Sequence, residues 1–347
     1  MTITSPVPDD SAGKSQDSTG MYEGGRQPMR RQILYRIEDT PMTADRPSTC
    51  SEFLRARGFS RHLLTWLRHH ENTLFLNKTA VFTNHPLRRG DELEVIFTDE
   101  IPSVSIIPNP MDLCIVYEDE DLLVINKPPF LPVQPSIGHF EYTLGNGVVA
   151  YYDAQGIPFV YRCVNRLDRN TSGLVIVAKN MASSAILYEE MKARRIRRTY
   201  LTVVHGLIDA AGTIDAPIRR RAASLIERCV DPENGQRAVT HYAPISRNPE
   251  NDTTALSVHL ETGRTHQIRV HMAYIHHPVV GDTLYGERQC DLIDRQALHS
   301  LRLEFMHPIT RRQISFEAPV PEDILRLMEN PAQSSRSLHL SGPCGKA

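Results

Sequence analysis

From about residue 110 the apolar runs of this chain succeed one another as strands, with no regular helical crossovers between them. "LCIVYEDEDLLVINKP" reads as strand, acidic turn, strand. "RTYLTVVHG", "RAVTHYAPI", "TALSVHLET" and "ALHSLRLEF" are roughly alternating, and several are β-branched. A few helices interrupt them. "SSAILYEEMKARR" (183–195) places Ile186, Leu187, Glu190 and Met191 at helical offsets, and "THQIRVHMAYI" suits a helix entered from a tight turn at Gly263. A doubly wound parallel sheet needs a crossover after each strand. The pattern therefore predicts an α+β fold: one large mixed, mainly antiparallel sheet flanked by helices.

The N-terminal third has a different texture. Residues 1–30 are rich in Ser, Gly, Asp and Pro without apolar periodicity, and read as a disordered tail, as do 331–347. Between them and the sheet, residues 31–105 form a candidate small module. Phe53 and Leu54, then Leu63, Leu64 and Leu67, fall at helical spacing. Short strands follow, with turns at Asn77-Lys78 and Arg89-Gly90-Asp91. Two short helices and a small β-element resemble the alpha-L RNA-binding module, and the composition shift near residue 100 predicts a separable unit. The main domain then spans 106–330.

With 39 basic and 41 acidic residues the formal net charge is −2, so any nucleic-acid surface has to be local. The six cysteines form no C-x-x-C pair and suggest neither a zinc site nor a disulfide framework. No apolar run approaches the roughly 20 residues of a membrane span.

Three stretches carry candidate chemistry. In "VNRLDRNTSGLVIVAKN" (164–180), Asp168 stands between Arg166 and Arg169, just before the buried strand composition of "TSGLVIVA". It is either part of a surface ion-pair cluster or a carboxylate held ionised for chemistry on a loop anchored by rigid structure. "ETGRTHQIRVHMAYIHHPVVGD" (261–282) gathers Arg264, His266, Gln267, Arg269 and His271. No acidic or thiol ligand has metal spacing within that histidine cluster, so hydrogen bonding to phosphate fits better than a metal centre. "MKARRIRRTYLTVVHG" is the densest basic run: Lys192, Arg194, Arg195, Arg197 and Arg198 lead to Tyr200 on a strand. Phosphates on the basic segment and a base against the ring would suit that order.

Together with "DLLVINKPP" and the "LHSLRLEF" segment, these stretches resemble the RluA-type pseudouridine synthases, in the family's order, over about residues 112–325. The resemblance implies isomerisation of uridine to pseudouridine in RNA and a mixed sheet with an RNA cleft across it. It implies that Asp168 is the catalytic aspartate, that Tyr200 packs on the target base, and that Arg269 pairs with the aspartate. Arg166 and Arg169 then face RNA or structural partners, with Lys192, Arg194, Arg195, Arg197, Arg198, Arg264, His266 and Gln267 as further RNA contacts. Three positions depart from the family pattern: Asn165 stands where His is usual, the arginines of "RRTY" where many members have Lys before the tyrosine, and Gln134 where His is common. The implied partner is structured RNA, ribosomal or transfer, handled by a cytoplasmic monomer without metal or cofactor. A non-catalytic RNA-binding protein would be expected to have lost Asp168, Tyr200 or Arg269, and all three are present. Whether the carboxylate attacks the sugar, deprotonates it or adds to the base stays open.

Overall fold

A computed structural model describes residues 29–38, 42–43, 46–98, 106–136, 138, 140–286 and 293–329. The two tails lie outside the described residues, except that residues 29 and 30 are described and Arg30 already belongs to the first strand. In chain order the N-terminal elements are β1 (Arg30–Arg36), β2 (Met42–Thr43), β3 (Arg46–Pro47), α1 (Cys50–Ala56), α2 (Arg61–His69), β4 (Leu74–Leu76), β5 (Thr79–Ala80) and β6 (Glu92–Thr98). There follow β7 (Ile115–Glu118), β8 (Leu122–Lys127), α3 (Leu144–Asp153), β9 (Arg162–Cys163), β10 (Ser172–Ala178), α4 (Met181–Lys192) and β11 (Arg197–His205). The chain continues through β12 (Gly212–Asp215), β13 (Ile218–Arg220), β14 (Arg228–Val230), β15 (Val239–Asn248), β16 (Thr253–Leu260), α5 (Gln267–Tyr274), β17 (Leu298–Met306), β18 (Gln313–Glu317) and α6 (Glu322–Met328).

The main sheet has ten strands in the order β12-β15-β16-β11-β17-β10-β8-β7, with β18 paired to β17 and β9 to β10. Its pairings are antiparallel apart from β10 with β17, so the sheet is mixed and mainly antiparallel, as the strand succession predicts. All seven residues of β10 are buried, because both faces of this central strand are covered. Val175 and Val177 join the larger core with Leu123, Ile125, Val148 and Tyr152, while Leu174 and Ile176 face Leu122, Val124, Leu187 and Leu303. The parallel contact is short: Ser172 is opposite His299 and Gly173 opposite Ser300. At Gly173 the backbone has φ +109, and a Cβ would collide with the Ser300 carbonyl, so only glycine lets the two strands approach here.

In the N-terminal part, α1 begins with a capping box between Thr49 and Glu52, and α2 is capped by the Ser60 hydroxyl. The apolar residues at helical spacing (Phe53, Leu54, Leu63, Leu64 and Leu67) are all buried. Asn77 and Lys78 both have positive φ, the geometry of a two-residue hairpin turn joining β4 and β5. The sequence reading begins this unit with its helices, but the structure adds β1 before them. That strand pairs with β6 over all seven residues and completes the sheet order β1-β6-β4-β5. Separability is the expectation the packing speaks against. The core of this unit takes in Ala182 and Ile186 of α4, both fully buried, and Arg31 forks the Asp121 carboxylate with two hydrogen bonds of 2.9 Å.

Candidate active site

The loop carrying Asp168 leaves the sheet between β9 and β10. The backbone ladder ends with Val164 N–H donating to the Ile176 carbonyl at 2.8 Å. The Asn165 side chain then imitates one more rung. Its Oδ1 accepts from Ile176 N–H at 2.8 Å and its Nδ2 donates to the Leu174 carbonyl at 3.1 Å. Asn165 is buried, and the Cys163 thiol donates to its carbonyl at 2.9 Å. Beyond it the loop is held from three sides. Thr171 N–H donates to the Asp168 carbonyl at 3.0 Å. Lys127 Nζ, at the end of β8, donates to the carbonyls of Pro128 (2.8 Å) and Arg169 (3.1 Å). Arg295 Nη1 donates to the Asn170 carbonyl at 3.3 Å, while its Nε and Nη2 fork Asp323 of α6. Lys127 is wholly buried, and that burial pushes its ammonium down to about 7, with the Asp168 charge opposing and Arg295 reinforcing the fall.

Asp168 itself keeps 23% of its side chain exposed, so a substrate can reach it. Its Oδ2 accepts from Arg269 Nη1 at 3.1 Å. Arg269 projects from the first turn of α5 and is buried; its Nε and Nη2 fork Asp282 at 2.6 and 2.8 Å. Burial works against the guanidinium charge, but the Asp282 hydrogen bonds and charge, then Asp168, outweigh it and hold Arg269 above its usual range. One cation thus stands between two carboxylates: a buried one that fixes its orientation and a part-exposed one, Asp168.

Asp282 also accepts the backbone N–H groups of Leu284 and Tyr285 on Oδ1. That turn brings the Tyr285 ring within 5.0 Å of the Arg269 guanidinium. The Tyr285 hydroxyl accepts from Arg228 N–H and bonds His266 Nδ1, each at 2.8 Å. His266 has a left-handed backbone, φ +58, at the start of α5, and its Nε2 lies 3.9 Å from Asp168 Oδ2. Burial holds His266 below its ordinary value, with Asp168 opposing, so the ring is neutral at pH 7 and faces Asp168 without a full ion pair.

The other sequence candidates divide. Arg166 and Arg169 are exposed, and Arg169 Nε donates to the Phe130 carbonyl at 3.4 Å; the guanidinium on Asp168 is that of Arg269, 101 residues away. Tyr200 is buried on β11, opposite Ser300 of β17, which is in turn opposite Gly173. It shares a core cluster with Leu167 and Ile268, the neighbours of Asp168 and Arg269. In the basic run, Arg194 pairs with Glu261 at 2.8 Å and Arg195 with the buried Glu190 at 2.6 Å, so both are already held by carboxylates of the protein. Lys192 and Arg197 are exposed, and Arg198 Nη2 donates to the Thr262 carbonyl at 3.5 Å. Arg264 is exposed, with Nε on the Arg237 carbonyl.

Gln267 departs from the expectation of an RNA contact. It is buried, and all four of its amide positions are used within the protein: Oε1 accepts from Thr262 Oγ1 and Arg264 N–H, and Nε2 donates to Val239 O and Thr240 Oγ1. His271 is equally internal, between Thr240 Oγ1 and the Ala216 carbonyl. Among the described residues, one group of three metal-ligating types converges, Asp119, Asp121 and His307, and it is not the histidine cluster of the sequence. Its atoms already hold Arg31, Asn180, Ser183 and Tyr117.

Comparison with known proteins bears on this geometry. Residues 121–274 match the family model described as RNA pseudouridylate synthase. An uncharacterised RNA pseudouridine synthase of Bacillus subtilis, YjbO, is 43% identical over 282 residues, covering 81% of this chain and 98% of the relative. Ribosomal large subunit pseudouridine synthase D of Escherichia coli is 42% identical over 237 residues, 64% of this chain and 71% of the relative. The solved structure of human RNA pseudouridylate synthase domain containing 1 aligns with a TM-score of 0.51 at 29% identity, covering 60% of this chain and 83% of that one.

Proposed function

This chain belongs to the RluA-type RNA pseudouridine synthases, and we propose that Asp168 is the carboxylate that acts on the target nucleoside. The enzyme isomerises uridine in RNA to pseudouridine. The bond from ribose C1′ to N1 of the base breaks and a bond from C1′ to C5 forms, while the C5 hydrogen leaves as a proton and N1 takes one up. The substrate's composition is kept and there is no net oxidation or reduction, so the reaction calls for positioned acid–base or nucleophilic groups and for no electron acceptor. The observation that carries the assignment is the part-exposed Asp168 at 3.1 Å from a buried arginine that is itself forked by Asp282. A guanidinium so anchored holds its neighbour's carboxylate by a charge-assisted hydrogen bond and aims it. Tyr200, two strands from Gly173 in the same sheet, is the aromatic group we assign to the base. Reaching a glycosidic bond within structured RNA requires the nucleotide to leave its stack.

The exposed cations Arg166, Arg169, Lys192, Arg197 and Arg264 are assigned to the RNA backbone, and residues 31–105 to an additional RNA contact. Ribosomal RNA is the substrate we favour over transfer RNA, supported by the identity to a large-subunit enzyme, with the protein working as a monomer in the cytoplasm. The test is Asp168→Asn on an unmodified large-subunit ribosomal RNA transcript. Pseudouridine, mapped chemically, should vanish while RNA affinity stays within about threefold. Retention of more than a few per cent of turnover would remove Asp168 from its role.

A further inference from the structure

We propose that Phe130 is a stacking platform for the unpaired base flanking the target uridine, an inference resting on the assignment of Asp168 as the reacting carboxylate. Phe130 has φ +63, in the left-handed region that a bulky L-residue rarely enters. Glycine would take this conformation without strain. Packing does not account for the aromatic side chain either, since it is 50% exposed, while Val133 further along the turn is the residue that enters the core.

The location is specific. The Phe130 carbonyl accepts from Arg169 Nε at 3.4 Å, and Lys127 Nζ ties Pro128, on the Phe130 side, to the Arg169 carbonyl. The turn that presents the ring is therefore fastened to the residue immediately after Asp168. Arg169 contacts this turn, and exposed Arg166 lies two residues before Asp168, so the loop offers the charges that phosphates beside an extruded nucleotide would meet. When a uridine leaves the stack, the base beside it loses a stacking partner. An exposed aromatic face beside the Asp168 loop replaces that partner without reading sequence.

The test uses the full chain with Phe130→Gly, Phe130→Leu and Phe130→Tyr. Two RNAs are needed: an unmodified large-subunit ribosomal RNA transcript for single-turnover rates, and a synthetic hairpin whose loop carries a uridine followed by 2-aminopurine. Phe130→Gly removes the strain, so its thermal midpoint should stay at or above that of the parent, while single-turnover kcat/KM falls on the order of tenfold, as expected for one lost stack. Phe130→Leu should lose as much, because it keeps the bulk and lacks a π-face, and Phe130→Tyr should retain the rate. The 2-aminopurine should be quenched by the parent protein and by Phe130→Tyr, and much less by Phe130→Leu. Parent-like rate and quenching in Phe130→Leu overturn the proposal. So does a Phe130→Gly variant whose midpoint and rate fall together, the signature of a packing residue. Asp168→Asn separates the two readings. An inactive Asp168→Asn that still quenches 2-aminopurine leaves the catalytic assignment standing whatever Phe130 does, whereas an active one removes the centre on which Phe130 is placed.

Discussion

Asn165 is where the geometry of the loop carrying Asp168 can be loosened without touching Asp168. Its amide replaces a rung of the β9–β10 ladder, and Asn165→Ala removes both bonds. Leu174 O keeps a second donor, Ser300 Oγ at 3.3 Å, but Ile176 N–H is left buried without an acceptor. An orphaned buried amide costs about 1–3 kcal/mol, and with the small cavity the total comes to roughly 2–3 kcal/mol. For a chain of this size that is a fall in Tm of about 3–4 °C. The same loss frees the three residues leading to Asp168, and a misplacement of about 1 Å at a reacting group lowers rates on the order of 100-fold. The assay pairs thermal unfolding with single-turnover pseudouridine formation, with RNA affinity measured alongside. Asn165→His sharpens it. A neutral imidazole can donate to Leu174 O and accept from Ile176 N–H, the work the amide does now, but a protonated one cannot accept. That variant should turn over near the parent rate above pH 7 and lose activity as the pH falls through about 6, where the parent, with an amide that does not titrate, shows no such limb. A parent-like Tm and rate in Asn165→Ala, or identical acid limbs in Asn165→His and parent, would refute the account of this loop.

Asp282→Asn should leave Arg269 buried with a weaker fork, lowering stability by about 3–5 kcal/mol and turnover more than RNA affinity; unchanged single-turnover rates would detach Asp282 from the site. Burial lowers His299 from 6.5 to about 4, so between those values the unfolded chain binds more protons than the folded one. Stability is full above pH 6.5 and is lost as pH falls toward 4, by on the order of 3 kcal/mol from this group. Urea midpoints across that window should drop less steeply in His299→Gln, and parallel curves would contradict the assignment. Deleting residues 1–105 should uncover Ala182 and Ile186 and free Asp121 from Arg31, giving a chain that aggregates or melts earlier; a monodisperse product with an unchanged Tm would show that the shared core contributes little.

What the sequence makes legible follows the range of the interactions. The antiparallel character of the sheet, helices α1, α2, α4 and α5, and the Asn77-Lys78 turn are visible because periodicity and turn chemistry are local signals. β1 is not, since "RRQILYR" acquires its strand meaning only against β6, some sixty residues on. The pairing of Asp168 with Arg269 comes through resemblance to a family rather than through any pattern linking the two segments. Asp282 escapes notice for the same reason: in "VVGDTLYG" nothing local marks a carboxylate that forks an arginine one helix away. Gln267 misleads in the opposite direction. A polar side chain among arginines and histidines reads as a surface contact, while its burial is decided by β15 packing over α5. Arg194 and Arg195 read as free charge for want of their partners Glu261 and Glu190.

The long reach of these contacts also sets when the protein becomes competent during its own synthesis. Asp168 leaves the ribosome about a hundred residues before Arg269, and Arg269 thirteen before Asp282. The strap on Asn170 waits for Arg295, and Arg295 for Asp323 in the last described helix. Such sequence-distant closures form late. The Asp168 carboxylate therefore emerges near the midpoint of the chain and waits for the later C-terminal segments before its partners are in place. The contacts that align Asp168 are thus incomplete while the chain is still being made.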